Sequence, residues 1–469
     1  MNDLCFTPAR ALARMIQAKK VSATEVMKAF IAQIERINPK VNAIVTFLPE
    51  QALKKARDID RQKTKPLLAG LPIAYKDNVA TKGIRTTSGS PVYRDHVPAE
   101  NHVIVDRLTA AGAITLGKTN LPEFAAGSHT FNAVFGATYN PYDLSKSAGG
   151  SSGGAAAAVA TGMLPFADGG DLAASLRNPG NFCNVVGYRP TPGRVPHWPN
   201  ANAWSTLATL GPIARTVGDA AFLLSAMAGP DSRAPVSISE TGDRFLKPLK
   251  RNFRKVKIGW SKNLGGLPVE PRVAAVLDAQ KKVFRDLGCV VEDAEPDFTG
   301  ATEAFETLRA AAFVANYGTL VKTRRKDVKD SIIWNVEQGW KLSTEQIGRA
   351  EFQRTALFHR MRAFLEKFDF LVCPVNQVAP FPTEVEFPTE IAGVKMTNYL
   401  DWMKSCYYIT ITSHPAVSVP AGFTSDAKPL PVGLQIVGRY RDDFGVLQLA
   451  HAFEQETKVW QRRPPIATA

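Results

Sequence analysis

Residues 147–162 read Ser-Ala-Gly-Gly-Ser-Ser-Gly-Gly-Ala-Ala-Ala-Ala-Val-Ala-Thr-Gly. The first half has the composition of a flexible tether. The second half is a run of the best helix formers. A chain that passes through glycines and serines straight into an alanine helix, inside an apolar region, holds either a linker or a fixed turn. The surrounding sequence has to decide which.

Strand and helix patterns alternate on both sides of this stretch. Ser22-Ala-Thr-Glu25 is a capping box, and Val26, Phe30, Ile34 and Ile37 then fall on one helical face. Thr7-Pro8 reads as a cap with proline at the first helical position. Residues 71–75 read as a buried strand ending at Lys76-Asp77-Asn78. Residues 103–111 are helical in period and close at Gly112. A short strand at 113–116 follows, and Asn120-Leu-Pro-Glu123 is expected to start another helix. Further on, residues 255–260, 370–375, 416–420 and 432–437 read as strands. Helices are expected over 273–287 and 443–457. This alternation predicts an α/β fold with helices on both faces of a sheet. The expectation is a single domain over residues 1–469, with a helix-rich peripheral part over about 225–365.

Composition excludes several classes. The chain has 469 residues, 45% hydrophobic and 21% charged, which is ordinary for a globular protein. Its net charge of +14 permits anionic partners. The basic clusters at 247–262 and 322–329 are short and interrupted, without an RNA-binding aromatic signature, so a solvated surface is expected rather than a nucleic-acid site. The five cysteines are scattered, with no Cys-x-x-Cys pair, which speaks against structural zinc and suits a reducing compartment. Neither a signal peptide nor an 18-residue apolar run is visible, so the reading is a soluble, cytoplasmic protein.

Two short motifs are decoys. Gly112-Ala-Ile-Thr-Leu-Gly-Lys118-Thr119 matches the phosphate-loop pattern. That motif needs a preceding strand and a following helix, and here the order is helix then strand. Gly150-Ser-Ser152-Gly-Gly154 matches the nucleophile elbow, which requires an acid and then a histidine downstream. His197 and His359 sit in no recognisable signature, His414 precedes a proline and a strand, and His451 lies within a helix.

A longer set of motifs is specific. "GLPIAYKDN" around Lys76, "TLGKTNLPEFAAGS", "FGATYNP", "GGSSGG" at 149–154, "GGDLAASLRNPGNFCNVVGYRPTPGRV" at 169–195 and the late "PAVSVPAGF…LPVGLQIVG" occur in order. Together they resemble the amidase signature family over most of the chain, most strongly over about 70–215. The resemblance implies an α/β/α sandwich around a large mixed sheet. It also implies a Ser-Ser-Lys relay: Ser175 as acylated nucleophile, Ser151 as bridge after a cis peptide from Gly150, and Lys76 as base. A serine hydroxyl is a weak nucleophile and needs a base. A lysine serves as one only when neutral, and burial lowers its proton affinity. On this reading the glycine-serine stretch is a fixed catalytic loop, and the helix behind it adds positive potential from its N-terminal N–H groups.

The resemblance further implies an oxyanion site from the backbone N–H groups of Leu172, Ala173, Ala174 and Ser175. It implies bracing by an Asp171–Arg177 pair and a substrate-side loop at Ala125, Gly127 and Ser128. Cys183 is read as a small core residue. The chain departs from the family where Ala173-Ala174 replaces a usual Gly-Gly, and where Gly170 and Leu172 replace small polar residues. Alanine keeps the N–H donors but disfavours positive φ. An active enzyme is expected, because all three catalytic side chains are present.

The function expected is hydrolysis of a small-molecule amide through an acyl-enzyme, with no metal or organic cofactor implied. No nucleic-acid or membrane partner is expected, and a homodimer is left open. The rival readings are a glutaminase-type subunit of a tRNA-dependent amidotransferase and a weakened family member acting as a binding scaffold. Trp334, Trp340, Trp402, Tyr407 and Tyr408 hint at an aryl or aliphatic acyl group.

Overall fold

The segment Phe-Leu-Val-Cys-Pro at 370–374 shows how the molecule is layered. Successive side chains of a strand point to opposite faces. Phe370 and Val372 enter one apolar cluster, and Leu371 and Cys373 enter another. Both faces of the sheet are therefore buried. In the computed structural model, which describes residues 2–468, the helical side chains of the first cluster include those of 23–41, 217–227, 271–286 and 443–457. The second takes them from 301–324, 344–367 and 404–411. This is an α/β/α arrangement. The unit expected over 1–469 extends beyond the described residues by one position at each end.

Two sheets position the site. A three-stranded sheet holds β1 (Ile44–Phe47), β2 (Pro72–Lys76) and β3 (Ile114–Thr119) in the order β1-β3-β2. The main sheet holds β4 (Phe166–Asp171), β5 (Val186–Arg189), β6 (Thr209–Ala214), β7 (Lys257–Trp260), β8 (Val290–Asp293), β9 (Phe370–Pro374), β10 (Ala416–Phe423) and β11 (Pro431–Val437). Its order is β8-β7-β9-β11-β10-β5-β6-β4. β7 pairs parallel with both β8 and β9, and the remaining neighbours are antiparallel, so the sheet is mixed.

Local signals decide most elements. Ser22 Oγ accepts the Glu25 N–H at 3.0 Å, and Glu25 Oε2 accepts the Ser22 N–H at 2.8 Å, so both halves of the capping box form. Two local expectations fail. The helix expected at Thr7-Pro8 starts at Ala9, with Pro8 in the cap position. Its first two N–H groups, from Ala9 and Arg10, donate to the Asp219 carboxylate at 2.9 Å each, so a distant acid supplies the cap. The helix expected from Asn120 is a single 3-10 turn at Glu123–Ala125. The Phe124 N–H donates to Ser88 O, and Glu123 accepts from Ser90 Oγ and from the Lys329 N–H. Groups that would have nucleated a helix are bonded elsewhere.

The region 225–365 is helix-rich, with helices Pro271–Asp286, Ala301–Arg324, Asp330–Trp340 and Thr344–Lys367. It is not only peripheral: it contributes β7 and β8 to the main sheet. No helix among the described residues is long and apolar enough to cross a membrane.

The alanine helix Gly153–Ala160 is buried at all eight positions. A Cβ at Gly154 would lie 2.4 Å from Asn120 N and 2.6 Å from Ala43 O, which is rigid backbone on both sides. Gly154→Ala is expected to lower stability by about 1–3 kcal/mol through overpacking, read as a reduced denaturation midpoint.

Candidate active site

The two sheets meet where β2 ends. The backbone N–H of Lys76, the last residue of β2, donates to Asp168 Oδ1 on β4 at 3.0 Å. This contact places the lysine beside the turn that follows β4. The side chain of Lys76 is 1% exposed. Its Nζ donates to Ser151 Oγ at 2.6 Å and to Ser152 Oγ at 3.0 Å. Burial is the dominant influence on this amine and lowers its pKa from 10.5 to about 7, with Asp168 and Asp171 acting in the opposite direction.

The loop carrying the two serines is held from several directions. The Gly150–Ser151 peptide is cis. Gly149 has φ of 76°, a conformation glycine adopts freely. Thr130 Oγ1 donates to Gly149 O at 2.8 Å and accepts the Gly153 N–H at 3.1 Å. The Ser152 N–H donates to Ser175 O at 3.2 Å, tying the loop to the residue expected as nucleophile. The Gly154 N–H donates to Asn120 O. The N–H groups of residues 152–154, at the mouth of the helix, therefore anchor the loop. This revises the expectation that they lend positive potential to a ligand. Ser152 makes no side-chain cap bond, so helix capping does not account for it.

Asp171 ends β4, and Arg177 opens the short helix Arg177–Phe182. Both side chains are fully buried. Arg177 Nε and Nη2 donate to the two Asp171 oxygens at 3.0 Å each. Nη1 donates to Cys406 O at 2.8 Å and to Gln435 Oε1 at 2.6 Å, and Nη2 also donates to Ala173 O and Thr410 Oγ1. Asp171 Oδ2 accepts the Leu176 N–H. Burial would raise the Asp171 carboxyl, but Arg177 and Arg189 outweigh it and hold its pKa below the ordinary value. This network encloses the turn 172–176 from both ends. Among the described residues, the N–H groups of Leu172, Ala173, Ala174 and Ser175 carry no acceptor within the chain.

The two alanines in this turn are accommodated without strain. Neither is among the positive-φ residues. Ala173 and Ala174 are 5% and 1% exposed, and both belong to the apolar cluster that also holds Phe182 and Trp402. Their methyl groups are buried in packing and do not line the cavity described next.

That cavity has a volume of about 680 Å³, and Lys76, Ser151, Ser175, Asp171 and Leu172 are among the residues that line it. It brings the three expected catalytic residues together. Ala125 also lines it, whereas Gly127 and Ser128 are not among its lining residues. Ser128 O instead accepts from Asn178 Nδ2 at 2.9 Å, and the residue packs behind Gly150. The aromatic wall is built from Tyr93, Phe124, Phe313 and Tyr317. Trp334, Trp340, Trp402, Tyr407 and Tyr408 do not contribute to it. Tyr407 stacks on Phe305 at 4.2 Å, Trp402 is core, Trp334 packs edge-on against Tyr399, Trp340 is 41% exposed, and Tyr408 lines a separate groove. Reading aromatic residues from sequence could not tell a core ring from a cavity ring.

Sequence reasoning also missed His102 and His197, whose rings lie 5.2 Å apart and line the same cavity. Ser152, to which the motifs assign no role, is a second hydroxyl on Lys76 Nζ. The decoy lysine, Lys118, is buried and donates to Val79 O and to Thr81 Oγ1, so it braces the loop after β2. Cys183 is fully buried, and burial pushes its thiol pKa up, as suits a core residue. No group of three or more His, Cys, Asp or Glu among the described residues is placed to hold a metal ion.

A buried lysine thus donates to two serine hydroxyls in the wall of a cavity in an α/β/α fold. The family model described as Amidase matches residues 25–447. An acylamidase of Rhodococcus erythropolis is 36% identical over 472 residues, covering 99% of this chain and 98% of the relative. A glutamyl-tRNA(Gln) amidotransferase subunit of Lactiplantibacillus plantarum is 34% identical, with 96% of each chain covered. A bacterial aryl acylamidase of the amidase signature family superposes with a TM-score of 0.92 at 30% identity over 99% of each chain. The chain belongs to the amidase signature family and is an amide-hydrolysing enzyme.

Arg177→Met leaves the buried Asp171 carboxylate only the longer contact to Arg189 at 3.6 Å and is expected to cost about 3–5 kcal/mol of stability. Adding Asp171→Leu should not recover that loss, because it leaves the buried Arg189 without a carboxylate, measured by chemical denaturation of both variants.

Proposed function

We propose that the chain hydrolyses an acyl amide through an acyl-enzyme on Ser175. The observation that carries this reading is the desolvated Lys76 amine 2.6 Å from Ser151 Oγ, with Ser175 in the same cavity. Ser175 Oγ attacks the amide carbonyl. Its proton passes to Ser151 Oγ, whose own proton passes to the neutral Lys76 Nζ. The oxyanion is met by the N–H groups of 172–175, fixed donors of the kind that stabilise such charge. The tetrahedral species collapses, and the relay returns the proton to the departing amine. Water then enters by the same relay, attacks the acyl carbon and frees Ser175. Asp171 and Arg177 keep the turn in place and do not touch the substrate.

The aromatic wall of Tyr93, Phe124, Phe313 and Tyr317 suits an aryl or extended aliphatic group on the amide. The likeness to an acylamidase and to an aryl acylamidase supports the same substrate class. The likeness to an amidotransferase subunit supports glutamine as a second reading. Glutamine carries an α-ammonium that needs an acceptor. The only carboxylate lining the cavity among the described residues is Asp171, which Arg177 already occupies. Acyl amides are therefore the better fit.

Ser175→Ala and Lys76→Ala are each expected to abolish hydrolysis of an anilide while the far-UV circular dichroism is retained. Turnover in either variant would defeat the relay, and faster release of ammonia from glutamine than of aniline would favour the second reading.

The pH dependence has a definite sign. Below about 7 the Lys76 amine is protonated and cannot accept a proton, and above it the amine is free. The value of kcat/KM should climb with pH to a plateau, with a midpoint near 7. A profile that is flat from pH 5.5 to 9, or that falls over this range, would exclude Lys76 as the base.

A further inference from the structure

One wall of the cavity is a face of the helix Ala301–Arg324. Arg309, Ala312, Phe313, Asn316, Tyr317 and Leu320 line it, at the three-four spacing of a helical stripe. Five of the six are apolar, aromatic or neutral. Arg309 is the exception, a permanent cation that is only 4% exposed.

A buried guanidinium ordinarily meets a carboxylate. Arg309 has no ion-pair partner among the described residues. Its Nε donates to Asn335 Oδ1 at 3.2 Å and its Nη2 to Tyr399 Oη at 2.8 Å, both neutral acceptors. Its guanidinium lies over the Phe313 ring at 4.4 Å. These contacts fix the plane of the group and leave both Nη1 protons without an acceptor among the described residues. The nearby acids are engaged elsewhere. Glu306 lines a separate groove and accepts from Asn398, and Glu123 accepts from Ser90 and the Lys329 N–H. The cavity thus holds an oriented cation, and its one carboxylate is neutralised by Arg177.

We propose that Arg309 is a specificity-determining residue that selects amides bearing a carboxylate away from the scissile bond. The inference rests on the amidase reading and deepens it. A substrate carboxylate accepting from Nη1 would complete the charge pairing of Arg309, and the aromatic wall would cover the intervening carbon skeleton. A charge-assisted bond of this kind is worth about tenfold or more in affinity.

The test compares two matched pairs of anilides. Acetanilide against 4-acetamidobenzoate places the carboxylate on the amine side. Butyranilide against succinanilate places it on the acyl side. In at least one pair the carboxylate member should have kcat/KM at least tenfold higher, with the gain in KM. Calorimetry on Ser175→Ala should show the same preference in binding, which reads the inference without turnover. Arg309→Met should bring the ratio within the pair close to one, and Arg309→Lys should retain part of it. Should Arg309→Met fail to fold, Arg309→Lys and the wild-type ratios still decide. The inference is overturned if neither pair favours the carboxylate in turnover or binding, or if the preference survives Arg309→Met undiminished. The amidase reading fails separately, if the neutral anilides are hydrolysed equally by Ser175→Ala.

Discussion

The buried pairing of Asp171 with Arg177 is the contact on which the site's geometry depends. It closes the turn 172–176 at both ends, and Arg177 carries the constraint outward to Cys406 and Thr410 on one helix and Gln435 on β11. A charge removed from water is costly unless its partners are geometrically ideal. Here the guanidinium is surrounded by acceptors, so the turn has few alternative conformations. The N–H groups of residues 172–175 lie in this braced turn and carry no acceptor among the described residues.

The second constraint is desolvation of Lys76. The same low-dielectric surroundings have opposite consequences for two kinds of cation. Lysine can shed its proton, and its pKa falls toward neutrality. Arginine cannot, so Arg177 keeps its charge and takes a carboxylate, while Arg309 keeps its charge and faces the cavity. The same cavity is therefore lined by a desolvated amine and by a fixed cation.

Much of the fold was legible because its signals are local. The capping box at Ser22 and the helix 443–457 depend on neighbours in the chain, and both appear as read. The failures have one cause. The Ala9 helix is capped by Asp219, and the turn at Glu123 is bonded to Ser88, Ser90 and Lys329. In each case a distant group outcompeted a local propensity. At the site, Lys76, Ser151 and Ser175 could be named from ordered motifs. The second hydroxyl on Lys76, the burial of the Ala173 and Ala174 methyls and the aromatic wall could not, because each depends on which surfaces pack together.

The amino-acid order alone determined the alternation of strands and helices, the glycines that allow the loop at 149–154 to turn, and the residue types able to carry a proton relay. These follow from spacing, backbone freedom and the chemistry of single side chains. Only the tertiary structure decided that the lysine is buried, that the donors of residues 152–154 anchor the loop, and that a helix far along the chain from the serines lines the cavity with an arginine. Dielectric surroundings and cavity walls are properties of packed surfaces, and contacts remote in sequence create them.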